Sequence, residues 1–140
     1  MSPRDVETVY TLVDAGNRRD VEALSALLAP DVEIVPMRAA LEGSTSYRGP
    51  AAAKQWFAAL EDSWEGLTAE IEEVRAAGDC VVALGRIRGR GRESGVDIDV
   101  EAALLARFRN GLVAYFRIYT DRSAALEAAR LSSSPLEENR

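Results

Sequence analysis

Histidine is absent from these 140 residues. With it go the commonest general base and the commonest metal ligand. The single cysteine, Cys80, cannot close an internal disulfide and suits a reducing cytosol. Lysine is nearly absent too: Lys54 stands alone beside sixteen arginines, and together with the many alanines this hints at a GC-rich bacterial source. No apolar run approaches the roughly 20 residues needed to cross a bilayer, and the N-terminus has no signal-peptide pattern. Positive charge is not in excess. Seventeen basic residues face twenty-three acidic ones for a net charge of −6, which argues against nucleic-acid binding, since that draws its affinity from phosphate neutralisation. Without histidine or a compact carboxylate cluster, the sequence points to no metal and no cofactor.

What the chain does contain is ordinary for a single domain of its size: 47% apolar and 29% charged residues. The stretch from Asp79 to Asp121 organises it. Three segments, DCVVALGRIRGR, GVDIDVEAALLARF and LVAYFRIYTD, alternate as antiparallel strands separated by Glu93-Ser94-Gly95 and Asn110-Gly111. A two-residue loop at Glu93-Ser94 sets Arg90 opposite Asp97, Arg88 opposite Asp99 and Arg86 opposite Glu101. A slip of one residue would destroy all three pairings. The other face then carries Val81, Ala83, Gly85 and Ile87 beside Val96, Ile98, Val100, Ala102, Leu104, Ala106 and Phe108, with no charge among them. A type I turn closed by a glycine bulge at Arg109-Asn110-Gly111 puts Ala114, Phe116, Ile118 and Thr120 on this apolar face. It leaves Val113, Tyr115, Arg117, Tyr119 and Asp121 on the charged one.

The remaining elements follow from periodicity and punctuation. Val6, Val9, Tyr10 and Val13 recur at helical spacing before Gly16-Asn17, and Asp20 can cap a second helix over Val21, Leu24, Leu27 and Leu28, ended by Pro30. Asp31–Met37 alternates as a short strand with Val32, Ile34 and Pro36 on one side. Arg38–Gly49 reads as an irregular mouth loop. Pro50 opens a helix with Ala53, Trp56, Phe57, Leu60 and Trp64 on one face. Leu67–Ala77 reads as a strand with room for a bulge among Glu70, Glu72 and Glu73. Arg122–Arg130, capped by Asp121, closes the domain with Ala125, Leu126 and Ala129 inward. The polar residues 132–140 are expected to be disordered. The sum is an α+β domain over residues 1–131, in which a curved antiparallel sheet wraps around N-terminal helices and encloses a cone.

This order of elements resembles the nuclear-transport-factor-2-like (cystatin-like) superfamily, and within it the SnoaL-like proteins. The resemblance is carried by VDAGNRRDVEALSALLAPDVEI (13–34), YRGPAAAKQWF (47–57), GRIRGRGRESGVDID (85–99) and FRNGLVAYFRIYTDRSAALEAARL (108–131). It implies an internal pocket between the apolar sheet face and the helices. Candidate lining and ligand-binding residues are Val9, Tyr10, Val13, Pro36, Arg38, Trp56, Leu60, Ala102, Leu104, Phe116, Ile118 and Thr120. Small residues on the strands, among them Gly85 and Ala83, are expected to leave it space.

Two of the three catalytic groups that a ketosteroid-isomerase-like enzyme would carry are missing: Pro36 stands where its base would be and Leu104 where its neutral carboxylic acid would be, while its tyrosine position falls near Val9, one residue before Tyr10. Leu104 also holds a place where many relatives carry histidine. Arg86, Asp99 and Glu101 match the residue types of an epoxide hydrolase but fall on the outer face. The resemblance therefore implies either a binder of a small apolar molecule, with or without cyclase, isomerase or hydrolase chemistry, or a non-catalytic dimeric accessory module. Tyr115, Tyr119 and Leu105 on the outer face, and the dimers common in the family, lead us to expect a homodimer across that face. The expected setting is cytoplasmic.

Overall fold

The computed structural model describes residues 3–37, 46–78 and 80–137. Helix α1 (Pro3–Arg18) and the short helix α2 (Val21–Ser25) lead into strand β1 (Leu28–Val35) and the two-residue strand β2 (Tyr47–Arg48). Helix α3 (Ala52–Ser63) precedes β3 (Trp64–Ala77), β4 (Cys80–Gly91), β5 (Asp97–Arg109) and β6 (Leu112–Tyr119), and α4 (Arg122–Glu137) closes the chain. One six-stranded sheet results, in the order β2-β1-β6-β5-β4-β3, with β1 parallel to β6 and every other pair antiparallel.

The arginine ladder sets the β4–β5 register as read from the sequence: Arg90 lies opposite Asp97, Arg88 opposite Asp99 and Arg86 opposite Glu101. The loop is longer than two residues. Gly95 N–H donates to the Gly91 carbonyl at 2.9 Å and Gly91 N–H to that of Val96 at 3.0 Å, with Gly95 at φ +69°. The second hairpin departs from expectation in a compensating way. Asn110 and Gly111 both take positive φ (54° and 81°), so the loop is a two-residue turn of the primed kind. Alone, that turn would reverse the facing of β6. A bulge between the Arg107–Tyr115 and Phe108–Val113 pairs reverses it again. Phe116 and Ile118 thus reach the inner face as expected, opposite Ala106 and Leu104. Val113, expected outside, joins the inner core fully buried, because the bulge lies beyond it at Ala114.

The inner core gathers Val9, Leu12 and Ala15 of α1, Leu24 of α2, Val32 and Ile34 of β1 and Trp56 and Phe57 of α3 against β4, β5 and β6. Asp20 caps α2 by accepting from the Ala23 N–H at 3.0 Å, which holds its carboxyl below the usual range. Three boundaries shift. Leu27 and Leu28 leave the second helix, and Leu28 begins β1. Trp64 is extended rather than helical and starts β3. The closing helix runs to Glu137, while 138–140 lie outside the described residues. β3 bulges twice, at Gly66 (φ +64°) and between Ile71 and Glu73, the second within the acidic stretch anticipated. There the strand bends across Gly85: a Cβ on Gly85 would stand 1.8 Å from the Glu70 carbonyl oxygen. Gly85 thus admits a neighbouring backbone, and it also borders one of the inner spaces, as expected of a small residue there.

The larger correction concerns α4. It does not join the other helices inside the cone. Ala125 and Ala129 pack on the outer face, over Cys80, Val82, Leu84, Ala103 and Leu105. Asp121 caps this helix as expected, accepting from Ser123 N–H at 2.9 Å. Half of the outer face is therefore covered within the chain. Tyr115 and Tyr119 flank this cluster, each with an arginine over its ring, Arg107 at 4.8 Å and Arg117 at 4.9 Å.

Candidate functional site

The mouth of the cone forms where α1 ends, α3 crosses and the edge strand β3 begins. α1 contributes Leu12 and Val13, α3 Trp56 and Leu60, and the strands Leu67, Ala69, Ile87, Leu104 and Ile118, with Met37 just past β1. These residues enclose a cavity of about 70 Å³. A second space of about 50 Å³ shares Val13, Ala69, Ile87, Leu104 and Ile118 and reaches Ala102. Outside them an open groove of about 490 Å³ runs past Met37, Trp64, Ile98, Val100, Arg92 and Thr120.

Five of the candidate residues meet at the cavity: Val13, Trp56, Leu60, Leu104 and Ile118. Ala102 lies on the adjoining space. Val9 and Phe116 are fully buried one layer behind the wall, as core. Pro36 directly follows β1 and is half-buried, and the next residue, Met37, takes the wall position. Tyr10 is 50% exposed, because one residue along a helix from buried Val9 turns the side chain about 100° away. Thr120 follows the last residue of β6 and is exposed in the groove. Arg38, with the first part of the mouth loop (38–45), lies outside the described residues.

The polar residues that the sequence reading missed are Asn17 and Arg19. Asn17, read as a helix stop, is still helical, and its side-chain amide reaches the unpaired edge of β3. Nδ2 donates to the Ala69 carbonyl at 2.9 Å and Oδ1 accepts from the Ala69 N–H at 2.8 Å. Arg19 follows with φ 54°, donates to the carbonyls of Leu67 at 2.9 Å and Gly16 at 2.6 Å, and pairs with Glu61 at 3.3 Å. The two side chains close a sheet edge that would otherwise present open donors and acceptors. Only the Asn17 identity, just after Gly16 at a helix end, hints at this in the sequence. Every hydrogen bond of theirs described above thus goes to backbone. Among the described residues, neither a carboxylate nor a tyrosine lines the cavity. Among the described residues that line it, two buried side-chain nitrogens have no hydrogen-bond partner: the indole nitrogen of Trp56 and Nε of Arg19, which meets Glu61 only as an ion pair at 3.3 Å.

The charged residues stand on the opposite face. Arg86 donates to Asp99 at 2.7 Å, diagonally rather than to Glu101 directly across; Arg88 reaches Asp99 at 3.3 Å and Arg90 reaches Asp97 at 2.8 Å. Glu101 turns instead to Arg122, which also pairs with Glu72 at 2.8 Å and donates to the Gly85 carbonyl. The hydrogen bond from Arg86 holds the Asp99 carboxyl below its usual range, and that from Arg90 does the same for Asp97. Burial, above all, pushes the Tyr119 phenol up. Arg86, Asp99 and Glu101 do not line the cavity, and of the three only Arg86 borders the adjoining space, so they form no epoxide-hydrolase constellation inside it.

With this geometry the chain can be set beside known proteins. The profile of the SnoaL-like domain matches residues 9–116. The chain belongs to the SnoaL-like family. None of the curated proteins compared matches it. Among solved structures, a nuclear-transport-factor-2-like protein from Burkholderia thailandensis is 27% identical, over 92% of this chain and 98% of that one, with a TM-score of 0.73. A proposed SnoaL-like polyketide cyclase from Jannaschia sp. CCS1 is 25% identical, over 92% and 95%, at 0.72. A nuclear-transport-factor-2-like protein of unknown function from Burkholderia pseudomallei shares the fold at 22% identity, over 91% and 97%, at 0.75. The cone-shaped α+β fold of the superfamily is therefore that of this SnoaL-like chain. No helix among its described residues is long and apolar enough to cross a membrane.

Proposed function

We propose that this SnoaL-like protein binds a small apolar molecule in the cone cavity and does so without acid/base chemistry. One observation carries the reading. The half-open recess at the mouth of the cone has a mostly apolar wall among the described residues, and two of its three polar side chains, Asn17 and Arg19, are tied to the backbone of β3, the third being Thr68. An apolar recess with few polar groups suits a hydrophobic ligand. Cyclase, isomerase or hydrolase chemistry would need a group free to take or give a proton. Tyr10 is turned to solvent, and Arg38 could at most stabilise negative charge, since a guanidinium does not deprotonate in a protein. The single thiol, Cys80, is buried and suits a cytoplasmic setting.

Native mass spectrometry of the purified protein tests this reading. The expected result is an organic adduct on wild-type protein that disappears in a Leu104→Trp variant, whose indole fills the cavity. Folded wild-type protein that carries no adduct, and acquires none from a panel of small apolar compounds, would sink it. A second reading, the dimeric accessory module, is favoured by Tyr115 and Tyr119, which lie half-buried beside the patch that α4 covers. The same spectra decide it, because a homodimer through the outer face requires twice the chain mass and loses it on Tyr115→Glu.

A further inference from the structure

We infer that Arg19 is the positioning residue of the recess: its guanidinium locks α1, α3 and β3 together at the mouth, and the wall that a ligand meets depends on that lock. The inference rests on the binding reading above and names the side chain that holds the site in shape.

Arg19 stands where the backbone favours glycine. Helix α1 ends in a Schellman motif, with the Asp20 N–H donating to the Ala15 carbonyl at 3.0 Å and the Arg19 N–H to that of Gly16 at 3.1 Å. The residue after the helix must then turn left-handed, and Arg19 does so at φ 54°. Glycine reaches that conformation without steric cost, whereas a Cβ is strained there. The other described non-glycine residue with positive φ is Asn110, and asparagine is among the few types that tolerate it. Arginine is not. Its side chain adds a second cost, since it carries a charge yet is only 17% exposed. Neither local effect favours arginine, so what the residue supplies lies in its contacts.

Those contacts reach three elements. Nη1 donates to the Gly16 carbonyl of α1 at 2.6 Å and Nη2 to the Leu67 carbonyl of β3 at 2.9 Å, while Nε stands 3.3 Å from a Glu61 carboxylate oxygen on α3. The same elements supply much of the recess: Leu12 and Val13 from α1, Trp56 and Leu60 from α3, Leu67 from β3. Leu67 is at once a partner of Arg19 and a wall residue, and Leu60 immediately precedes Glu61. The lock therefore acts next to the wall itself. Glu61 is held from the far side as well, by Arg92 at 3.5 Å, which in turn pairs with Glu65 at 3.6 Å. Asn17 ties α1 to β3 at Ala69; Arg19 adds α3. A half-open recess between three elements holds one volume only while they keep their relative places. A site already in shape binds without the cost of forming it.

Xenon, a neutral atom that enters apolar cavities, is the probe. It is dissolved under pressure and read by protein-detected NMR at the Leu104 and Ile118 methyl groups, in wild-type protein and in Arg19→Gly and Arg19→Ala variants. Both variants lose the lock and differ in the backbone freedom of one residue, so Arg19→Gly should melt higher than Arg19→Ala. Their xenon affinities should nevertheless fall together, by about tenfold if the unlocked wall is formed in about one molecule in ten. Stability and affinity then come apart, which a merely structural role would not produce. Folded variants whose xenon affinity matches wild type, or follows their melting temperatures, would overturn the inference and leave the binding reading intact. Wild-type protein that takes up no xenon would overturn both. Should neither Arg19 variant fold, Glu61→Gln decides, because it spares the bonds from Arg19 to Gly16 and Leu67 and cuts the ion pair to α3. It should weaken xenon severalfold, and an unchanged affinity would end the proposal.

Discussion

The two faces of the β4–β5 hairpin use polar residues in opposite ways. On the outer face Arg86, Arg88 and Arg90 meet Asp97 and Asp99 in ion pairs whose side chains are mostly half exposed. Water screens these charges, and each keeps solvent as an alternative partner. On the inner face the strands offer apolar side chains alone, and the polar groups at the rim arrive from α1 to satisfy the open edge of β3. Most of the charged residues of this hairpin thus stand away from the cavity, and the described residues that wall it are mainly apolar. Richness in charge reports on the solvated face of a sheet here, not on chemistry.

Adjacent leucines on opposite faces give the largest test of that contrast. Leu105 is fully buried between the sheet and α4, whereas Leu104 is 9% exposed on the wall of the cavity. Leu105→Ala should cost about 2–5 kcal/mol in a denaturant titration, as a well-packed site that cannot collapse around the loss. Leu104→Ala should cost less, because its methyls border a void already, and it should admit bulkier apolar probes than wild-type protein does. Equal costs would mean that the inner face is as tightly packed as the outer one.

Asn17→Ala comes next. It strips the β3 edge of one donor and one acceptor at Ala69, at about 1–3 kcal/mol for each group left unpaired. Hydrogen exchange should show it first, as faster exchange at the Ala69 amide than at amides in the β4–β5 ladder. Asn17→Asp should recover only part of the loss, since a carboxylate can accept from the Ala69 N–H but cannot donate to its carbonyl. A variant with unchanged protection at Ala69 would show that the edge is held by something other than this side chain.

Much of this contrast could be read before any coordinates. Opposite-charge pairs at three successive positions fix the β4–β5 register, and a fixed register assigns every side chain on those strands to a face. Alternation and helical spacing put Val13, Trp56, Leu60, Leu104 and Ile118, from four separate segments, on apolar faces, and the family resemblance implied that those faces meet in one pocket. Facing is less legible where two local signals combine. The primed turn at Asn110-Gly111 and the bulge at Ala114 each invert β6, and only their sum preserves Phe116 and Ile118 inside while drawing Val113 in with them. Amphipathicity also cannot say which side of a sheet a helix takes. Ala125 and Ala129 fit either face, and the tilt of the chain after Thr120 delivers α4 to the outer one. Least legible of all are Asn17 and Arg19, whose roles depend on an edge strand some fifty residues away in sequence.

The smallest effects belong to the ladder, and pH is the means of isolating them. Asp97 and Asp99 titrate below the ordinary carboxylate range because Arg90 and Arg86 donate to them. A carboxyl whose folded value is depressed adds stability that is fully present above its unfolded value, near 4. That stability disappears as pH falls through the lower, folded value. The Asp97→Asn and Asp99→Asn variants should therefore lie slightly below wild type at neutral pH and converge with it in acid. The gap should be the wider for Asp99, which serves two arginines where Asp97 serves one. Added salt should narrow both gaps at neutral pH while leaving the Leu105→Ala deficit in place, because a Debye length of about 3 Å at 1 M salt screens exposed charges and has no purchase on buried methyl groups. If the ladder variants were instead as damaging as Leu105→Ala and insensitive to salt, the outer face would have to be desolvated in solution. A second copy of the chain seated over Tyr115 and Tyr119 would then be the natural cause.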